Sequence, residues 1–173
     1  MGIVTLRSMT REDFPRLGSW LARPHVQRWW KETGAPDEVE RKYGPHIDGA
    51  DPTRMFVAEV DGVPIGMLQT YWVDDYPEHA ESVGLPGAVG VDLFIGEPDY
   101  LGRGYGPAML RAFLSTVVPG FYSGATGAVA DPSASNGTSI RAFEKAGFRK
   151  GRIVEGEDGL EQLMVLEFGD IRR

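Results

Sequence analysis

Asp99-Tyr100-Leu101-Gly102-Arg103-Gly104-Tyr105-Gly106 runs directly into Pro107-Ala108-Met109-Leu110-Arg111-Ala112-Phe113-Leu114, and this stretch decides the fold. Three glycines at alternate positions open into an amphipathic segment of helical period. Glycine takes up φ > 0 without steric cost and lets a ligand come close to the main chain. The first turn of the helix that follows carries unpaired N–H groups and a partial positive charge. Together these form a cradle for phosphate oxygens, to which Arg103 can add a mobile cation. A P-loop would need Gly-Lys-Ser/Thr here, and Gly106-Pro107-Ala108 does not supply it. A dinucleotide fingerprint would read G-x-G-x-x-G at the start of a βαβ unit, whereas these glycines run G-x-G-x-G in mid-chain. Taken alone, the motif fits a helix-capping turn as well as a phosphate site.

Working outward, about thirty residues downstream comes Asn136-Gly137-Thr138-Ser139-Ile140-Arg141-Ala142-Phe143-Glu144-Lys145-Ala146-Gly147-Phe148. The glycine loop followed by this run resembles the GNAT acetyltransferase superfamily, which binds acetyl-CoA. The resemblance implies that Leu101, Gly102, Arg103, Gly104, Tyr105 and Gly106 hold the pyrophosphate of acetyl-CoA, with Asn136 and Phe143 further along the same cofactor. The resembled motif carries Arg or Gln where this chain has Leu101, a small loss if main-chain N–H groups make most of the phosphate contacts. Asn136 also stands where a helix N-cap is expected, and the two roles are compatible at different atoms.

A closer resemblance spans nearly the whole chain. Val26-Gln27-Arg28-Trp29-Trp30, Gly62-Val63-Pro64-Ile65-Gly66, Gly90-Val91-Asp92, Asp131-Pro132-Ser133-Ala134-Ser135-Asn136 and Asp158-Gly159 look like the aminoglycoside 6′-N-acetyltransferases. Siderophore-type lysine N-acyltransferases share the early Trp-Trp pair and are the nearest competitor.

The 173 residues suit one domain over 1–173, with 42% apolar and 25% charged residues, ordinary for a soluble globular chain. No apolar run reaches membrane-spanning length, no charged-then-apolar leader opens the chain, and a cytoplasmic location is expected. There is no cysteine, which excludes disulfides, thiolate metal sites and a cysteine nucleophile. His25, His46 and His79 lack metal-ligand spacing, so no metal is expected. A net charge of −7 without a basic cluster argues against nucleic acid. It suits a cationic partner, although solubility alone explains a similar charge.

Element by element, Ile3 to Ser8 reads as a strand, Thr10 to Ala22 as a capped helix, Pro24 onward as a short helix and Pro36 to Tyr43 as a third. Strands follow over Met55–Val60 and Ile65–Val73, joined by the hairpin signal Asp61-Gly62. The polar stretch Asp74 to Gly87 reads as a loop. A strand over Val89–Ile95, the glycine loop with a helix to Val118, a strand over Gly124–Ala130 and a helix over Ser135–Ala146 come next. Two strands, Phe148–Val154 and Leu160–Phe168, close the chain. The order predicts an α/β (α+β) fold, a sheet of about seven strands flanked by helices. The resemblance makes that sheet mixed and mostly antiparallel, with a splay between two central strands that admits the pantetheine arm.

Asp92 interrupts the apolar strand Val89-Gly90-Val91-Asp92-Leu93-Phe94-Ile95. An acid there is paired, exposed against aggregation, or functional. The resemblance makes it the base that takes the amine proton, with N–H groups near Phe94 and Ile95, at a bulge in the strand, polarising the thioester carbonyl. Phe143 stands where many relatives place a tyrosine as general acid. Three outcomes are open: water, Tyr122 or Tyr105 takes over that proton, the thiolate leaves unprotonated, or the protein is a weak acyl-CoA-binding relative. Without cysteine, direct transfer in a ternary complex is expected.

Acidic residues Asp74, Asp131 and Asp158 are loop or turn formers individually. As a set around one mouth they suit a polycationic sugar. The resemblance places Asp92, Asp131 and Asp158 on an aminoglycoside acceptor. Trp29 and Trp30 point about 100° apart on a helix, which argues against one shared role and fits a core pair, while the resemblance places Trp29 and Trp30 at the acceptor pocket. Tyr71 has the same ambiguity. The expected acceptor is thus a cationic amine such as an aminoglycoside, or a siderophore lysine side chain, and the expected assembly a monomer or homodimer.

Overall fold

The computed structural model describes residues 1–169. One seven-stranded sheet organises the chain, in the order β1-β2-β3-β4-β5-β7-β6. The strands are β1 (Val4–Ser8), β2 (Arg54–Val60), β3 (Val63–Trp72), β4 (Ala88–Ile95), β5 (Gly127–Ala130), β6 (Arg149–Gly156) and β7 (Gly159–Glu167). Every neighbouring pair is antiparallel except β4 with β5. The mixed α/β architecture with seven strands therefore agrees with the sequence expectation.

Helices α1 (Phe14–Leu21), α2 (Pro24–Trp30) and α3 (Pro36–Asp48) cover one face of the sheet. Trp20, Leu21, Val39 and Tyr43 pack there against Met55, Val57, Met67 and Phe94. The other face carries α5 (Tyr105–Ala112), continued by a π turn (Phe113–Val117) and α6 (Val118–Phe121), and then α7 (Gly137–Lys145). Phe113, Val117, Tyr122, Phe143, Phe148 and Met164 form that core.

Local signals explain most boundaries. Prolines start α2 and α3 at positions whose N–H would be unpaired anyway. Asp61 and Gly62 have φ of 50° and 80°, the positive pair that a tight β2–β3 hairpin requires. Two elements differ from expectation. Helix α3 continues through Pro45 to Asp48, held by Tyr43 in the core and closed by Gly49 at φ 75°. The stretch expected as a loop after Asp74 contains a 3₁₀ turn (Val73–Asp75) and α4 (Pro77–Val83). Its apolar residues Ala80 and Val83 pack with Val73, Ala88 and Val165, a tertiary gain that its polar composition hides. No described helix is long and apolar enough to cross a membrane.

Candidate active site

The site begins where the sheet comes apart. Strand β4 pairs with β3 from Val89 to Ile95 but with β5 only over Ala88–Gly90. Beyond Gly90 the two strands diverge. Gly96 N–H donates to Ile65 O, which fixes the alternation along β4. Even-numbered residues aim their main-chain polar groups at β3, and Val91, Leu93 and Ile95 aim theirs into the gap. Ile95 O meets His25 Nε2 at 2.9 Å. This corrects two expectations. The register of β4 against β3 has no bulge; shifts occur at Ala58/Glu59 and Lys150/Ile153. The N–H of Phe94 faces β3, so Leu93 and Ile95, not Phe94, offer main-chain donors to the gap. The ring of Phe94 is wedged edge-on between Trp20 (6.1 Å) and Trp30 (5.1 Å).

A groove of about 410 Å³ follows the gap. Leu93, Phe94 and Ile95 form its floor, Trp29 and Trp30 one wall, and Asn136, Ser139 and Phe143 of the α7 side the other, with Leu101 and Gly106 at its far end. Gly102 and Gly104 sit in the left-handed region, φ 69° and 84°, on the turn that leads into α5. A Cβ at Gly106 would touch Ala142 at 3.4 Å, so this glycine lets α5 approach α7. Arg103 is exposed beside them. Tyr105 does not line the groove. Its ring is buried against Tyr100, and its hydroxyl accepts from the Gly2 N–H at 3.2 Å. Asn136 Oδ1 accepts from the Ser139 N–H at 3.2 Å, capping α7.

Neither tyrosine expected as a substitute acid has its hydroxyl in this space. Tyr122 bonds Thr70 Oγ1 at 2.7 Å within the core, and Tyr105 is tied to the N-terminus. Phe143 is itself 2% exposed and edge-packed on Phe148, yet it touches the groove.

The groove opens into a second cavity of about 720 Å³. Its lining includes Asp92 from β4, Asp131 from the end of β5, and Glu157, Asp158 and Glu161 from the β6–β7 hairpin. The Asp92 carboxylate accepts from Gln69 Nε2 at 3.1 Å. Burial, and then the charge of Asp131, pushes the Asp92 carboxyl up to about 7. Burial raises Asp131 as well, against the pull of His79, whose Nδ1 lies 3.8 Å from its carboxylate. Burial and the charges of Asp131, Asp158 and Glu157 push Glu161 up to about 7. Such a group of carboxylates shares protons and titrates jointly. Among the described residues no group of three His, Cys, Asp or Glu is placed to hold a metal ion. What the arrangement can do is accept protons and ammonium groups near neutral pH.

Trp29 and Trp30 both line the two cavities, as the resemblance implies and although their helical angle alone argues against a shared place. Trp30 leans on Phe94, and Trp29 carries the Arg28 guanidinium 4.8 Å above its ring. Two expected acceptor residues lie elsewhere. Asp74 accepts from the Gly87 N–H at 2.9 Å and serves a turn outside the cavity. Tyr71 packs behind the lining, against Tyr76 and His79, with its ring over Gly90, where a Cβ would collide with it.

Sequence reasoning missed Gln69, Glu161, Glu32, Lys42 and His79. Gln69 is the register partner of Asp92, a pairing that appears only once the strands are aligned. Glu161 stands beside Gln162 near the start of β7, so no lone acid in an apolar run marks it in the sequence. Glu32 holds Lys42 Nζ at 2.9 Å on the cavity wall.

A splayed mixed sheet with a glycine turn at one end and a half-buried carboxyl on the central strand defines an acetyltransferase fold. The acetyltransferase (GNAT) domain model matches residues 9–155, and the chain belongs to that family. It is 33% identical to an aminoglycoside N(6′)-acetyltransferase type 1 of Klebsiella pneumoniae, over 94% of this chain and 82% of that one. The fold superposes with TM-score 0.86 and 30% identity on AAC(6′)-Ib solved with parmomycin and acetyl-CoA, covering 99% and 97% of the two chains. It superposes with TM-score 0.84 and 31% identity on AAC(6′)-Ib solved with coenzyme A and kanamycin, covering 98% and 99%.

Proposed function

We propose that this protein transfers acetyl from acetyl-CoA to the 6′-amine of an aminoglycoside and so confers resistance to such antibiotics. The observation that carries the reading is Asp92. Its carboxyl, held by Gln69 and raised to about 7, stands where the acidic cavity meets the groove. The relatives named as aminoglycoside N(6′)-acetyltransferases support the acceptor and the position acetylated.

The residues present fit acetyl-CoA. Left-handed Gly102 and Gly104 expose main chain ahead of α5 for the pyrophosphate, with Leu101, Arg103, Tyr105 and Gly106 around it. Asn136 and Phe143 line the path of the pantetheine arm. The coenzyme supplies an acetyl group as a thioester. The N–H groups of Leu93 and Ile95 point into the gap, where they polarise the thioester carbonyl.

Alkyl amines are mostly protonated at neutral pH. Asp92 receives the acceptor ammonium and takes one proton, leaving a neutral amine aimed along the gap. A carboxyl near 7 suits this step, being half-ionised at working pH yet basic enough to hold the proton. Asp131 and Asp158 receive further ammonium groups, while Trp29 and Trp30 wall the sugar. With Tyr105 and Tyr122 engaged elsewhere, the leaving thiolate takes its proton from water.

A thiol-release assay with acetyl-CoA and a panel of kanamycin-type acceptors, lysine side-chain amines and polyamines tests the reading. Turnover with kanamycin and a product acetylated at the 6′-nitrogen by NMR is the expected result. Turnover confined to the other amines overturns it.

A further inference from the structure

Glu161 lies on β7 just past the Asp158-Gly159 turn, its main chain bridged to Ser133. The other half-buried carboxylates of the cavity already face a donor from the protein, as does Asp158 at its exposed rim, while Glu157 on the same rim stands in solvent without one among the described residues. Asp92 has Gln69 (3.1 Å), Asp131 has His79 (3.8 Å), Asp158 has Lys31 (3.6 Å) and Glu32 has Lys42 (2.9 Å). The half-buried Glu161 carboxylate makes no hydrogen bond or ion pair among the described residues. Its place is made by Gly156 on the neighbouring strand, where a Cβ would collide with Glu161 Oε1. The half-buried carboxylate lies over a glycine and no group of the protein matches it, so its charge is costly until a proton or a cation from outside joins it.

Resting on the proposed aminoglycoside acetylation, we infer that Glu161 is a specificity-determining residue: it receives a second ammonium group of the same acceptor whose reacting amine lies at Asp92. The cavity volume of about 720 Å³ suits a multi-ring amino sugar rather than a small cation. An acceptor with one amine leaves Glu161 unmatched, and such acceptors are discriminated against. Charged groups on every side act on this carboxylate or its neighbours. Asp131, Asp158 and Glu157 repel it directly, and it in turn repels Asp92. Lys42 stabilises the charge of Asp92, and His79 that of Asp131.

The test compares wild type with Glu161→Gln, using kanamycin as the polyamine and methyl 6-amino-6-deoxyglucoside as the single-amine sugar. Calorimetry reads binding, and thiol release reads turnover. The expected result is an approximately tenfold weaker Kd and higher KM for kanamycin, a charged hydrogen bond lost, with kcat and coenzyme A affinity unchanged. The single-amine sugar is unaffected, the salt dependence of kanamycin binding becomes shallower, and the acid limb of kcat/KM moves to lower pH as repulsion on Asp92 falls. Glu161→Asp, which keeps the charge, retains the salt dependence, and it reports the same property should the Gln variant lose coenzyme A binding. Equal effects on both sugars, or none, overturn the inference and leave the proposed activity standing. Kanamycin binding weakened in the variant but never turned over by wild type upholds the binding role and overturns the activity. A wild type that neither binds nor acetylates kanamycin overturns both.

Discussion

The two cavities share a wall of Trp29, Trp30, Leu93, Asn136 and Phe143, yet they are built from different parts of the chain. Beyond that shared wall, the groove presents main chain. Its working groups are the free edge of β4, the left-handed glycines before α5 and the first turn of α7. The acidic cavity is made from side chains, carboxylates that β4, β5 and β7 bring together from positions 92, 131 and 161. Main-chain sites tolerate side-chain change as long as the backbone can adopt its geometry, whereas side-chain sites fail with one atom. On this division, the Leu101 departure from the family motif is expected to cost little, and a departure at Asp92 to be disabling.

The sharpest way to break this contrast is Asp92→Asn. Loss of a positioned base costs roughly 10²–10⁴ in rate, so kcat should fall by that order while coenzyme A affinity measured by calorimetry stays unchanged. Unaltered turnover would remove Asp92 from its role. Next in size is Gly104→Val. A β-branched residue at φ 84° is strained, and the turn must open. Coenzyme A affinity should drop by at least about tenfold, the equivalent of 1.4 kcal/mol, with acceptor binding retained.

The pH dependence sharpens the acidic side. If Asp92 is the base, kcat/KM rises with pH through about 7 and then levels, because the carboxyl must be ionised to take a proton. Stability runs the other way. The Asp92 carboxyl is raised from 3.8 to about 7, so the folded state keeps a proton that the unfolded chain has released. That contribution is full below about pH 4 and is lost as pH rises through about 7. Thermal unfolding should therefore show a lower Tm at pH 8 than at pH 5.5, and Asp92→Asn should flatten the difference. The smallest effect is expected from Phe143→Tyr. The ring is 2% exposed and edge-packed on Phe148, so its added hydroxyl enters a tight space. A change in kcat below about threefold, worth some 0.7 kcal/mol, is predicted. A larger gain would show that protonation of the thiolate limits turnover.

Legibility followed the same division. The glycine turn, the Asn136–Phe148 run and the strand alternation were readable because each is a local pattern, closed within a few residues. Asp92 stood out as an acid inside an apolar strand. Glu161 lacks that mark: with Gln162 after it and Glu157, Asp158 and a turn before it, it resembles one more solvated charge. Asp74 misled for the opposite reason: a loop carboxylate near the site in sequence was engaged with Gly87 in space. Helix α4 was hidden by polar composition, since its few apolar residues find their partners on β4, β5 and β7.

By itself the sequence determined the class of fold, the glycine turn before α5 and the acid on the central strand, all consequences of short-range periodicity and of what glycine and aspartate can do alone. Only the tertiary structure decided which N–H groups of β4 face the gap, that Gln69 holds Asp92, and which carboxylates share one cavity. Register and strand order settle those points. A shift of one residue would turn Asp92 to the other face of the sheet without altering a single local pattern.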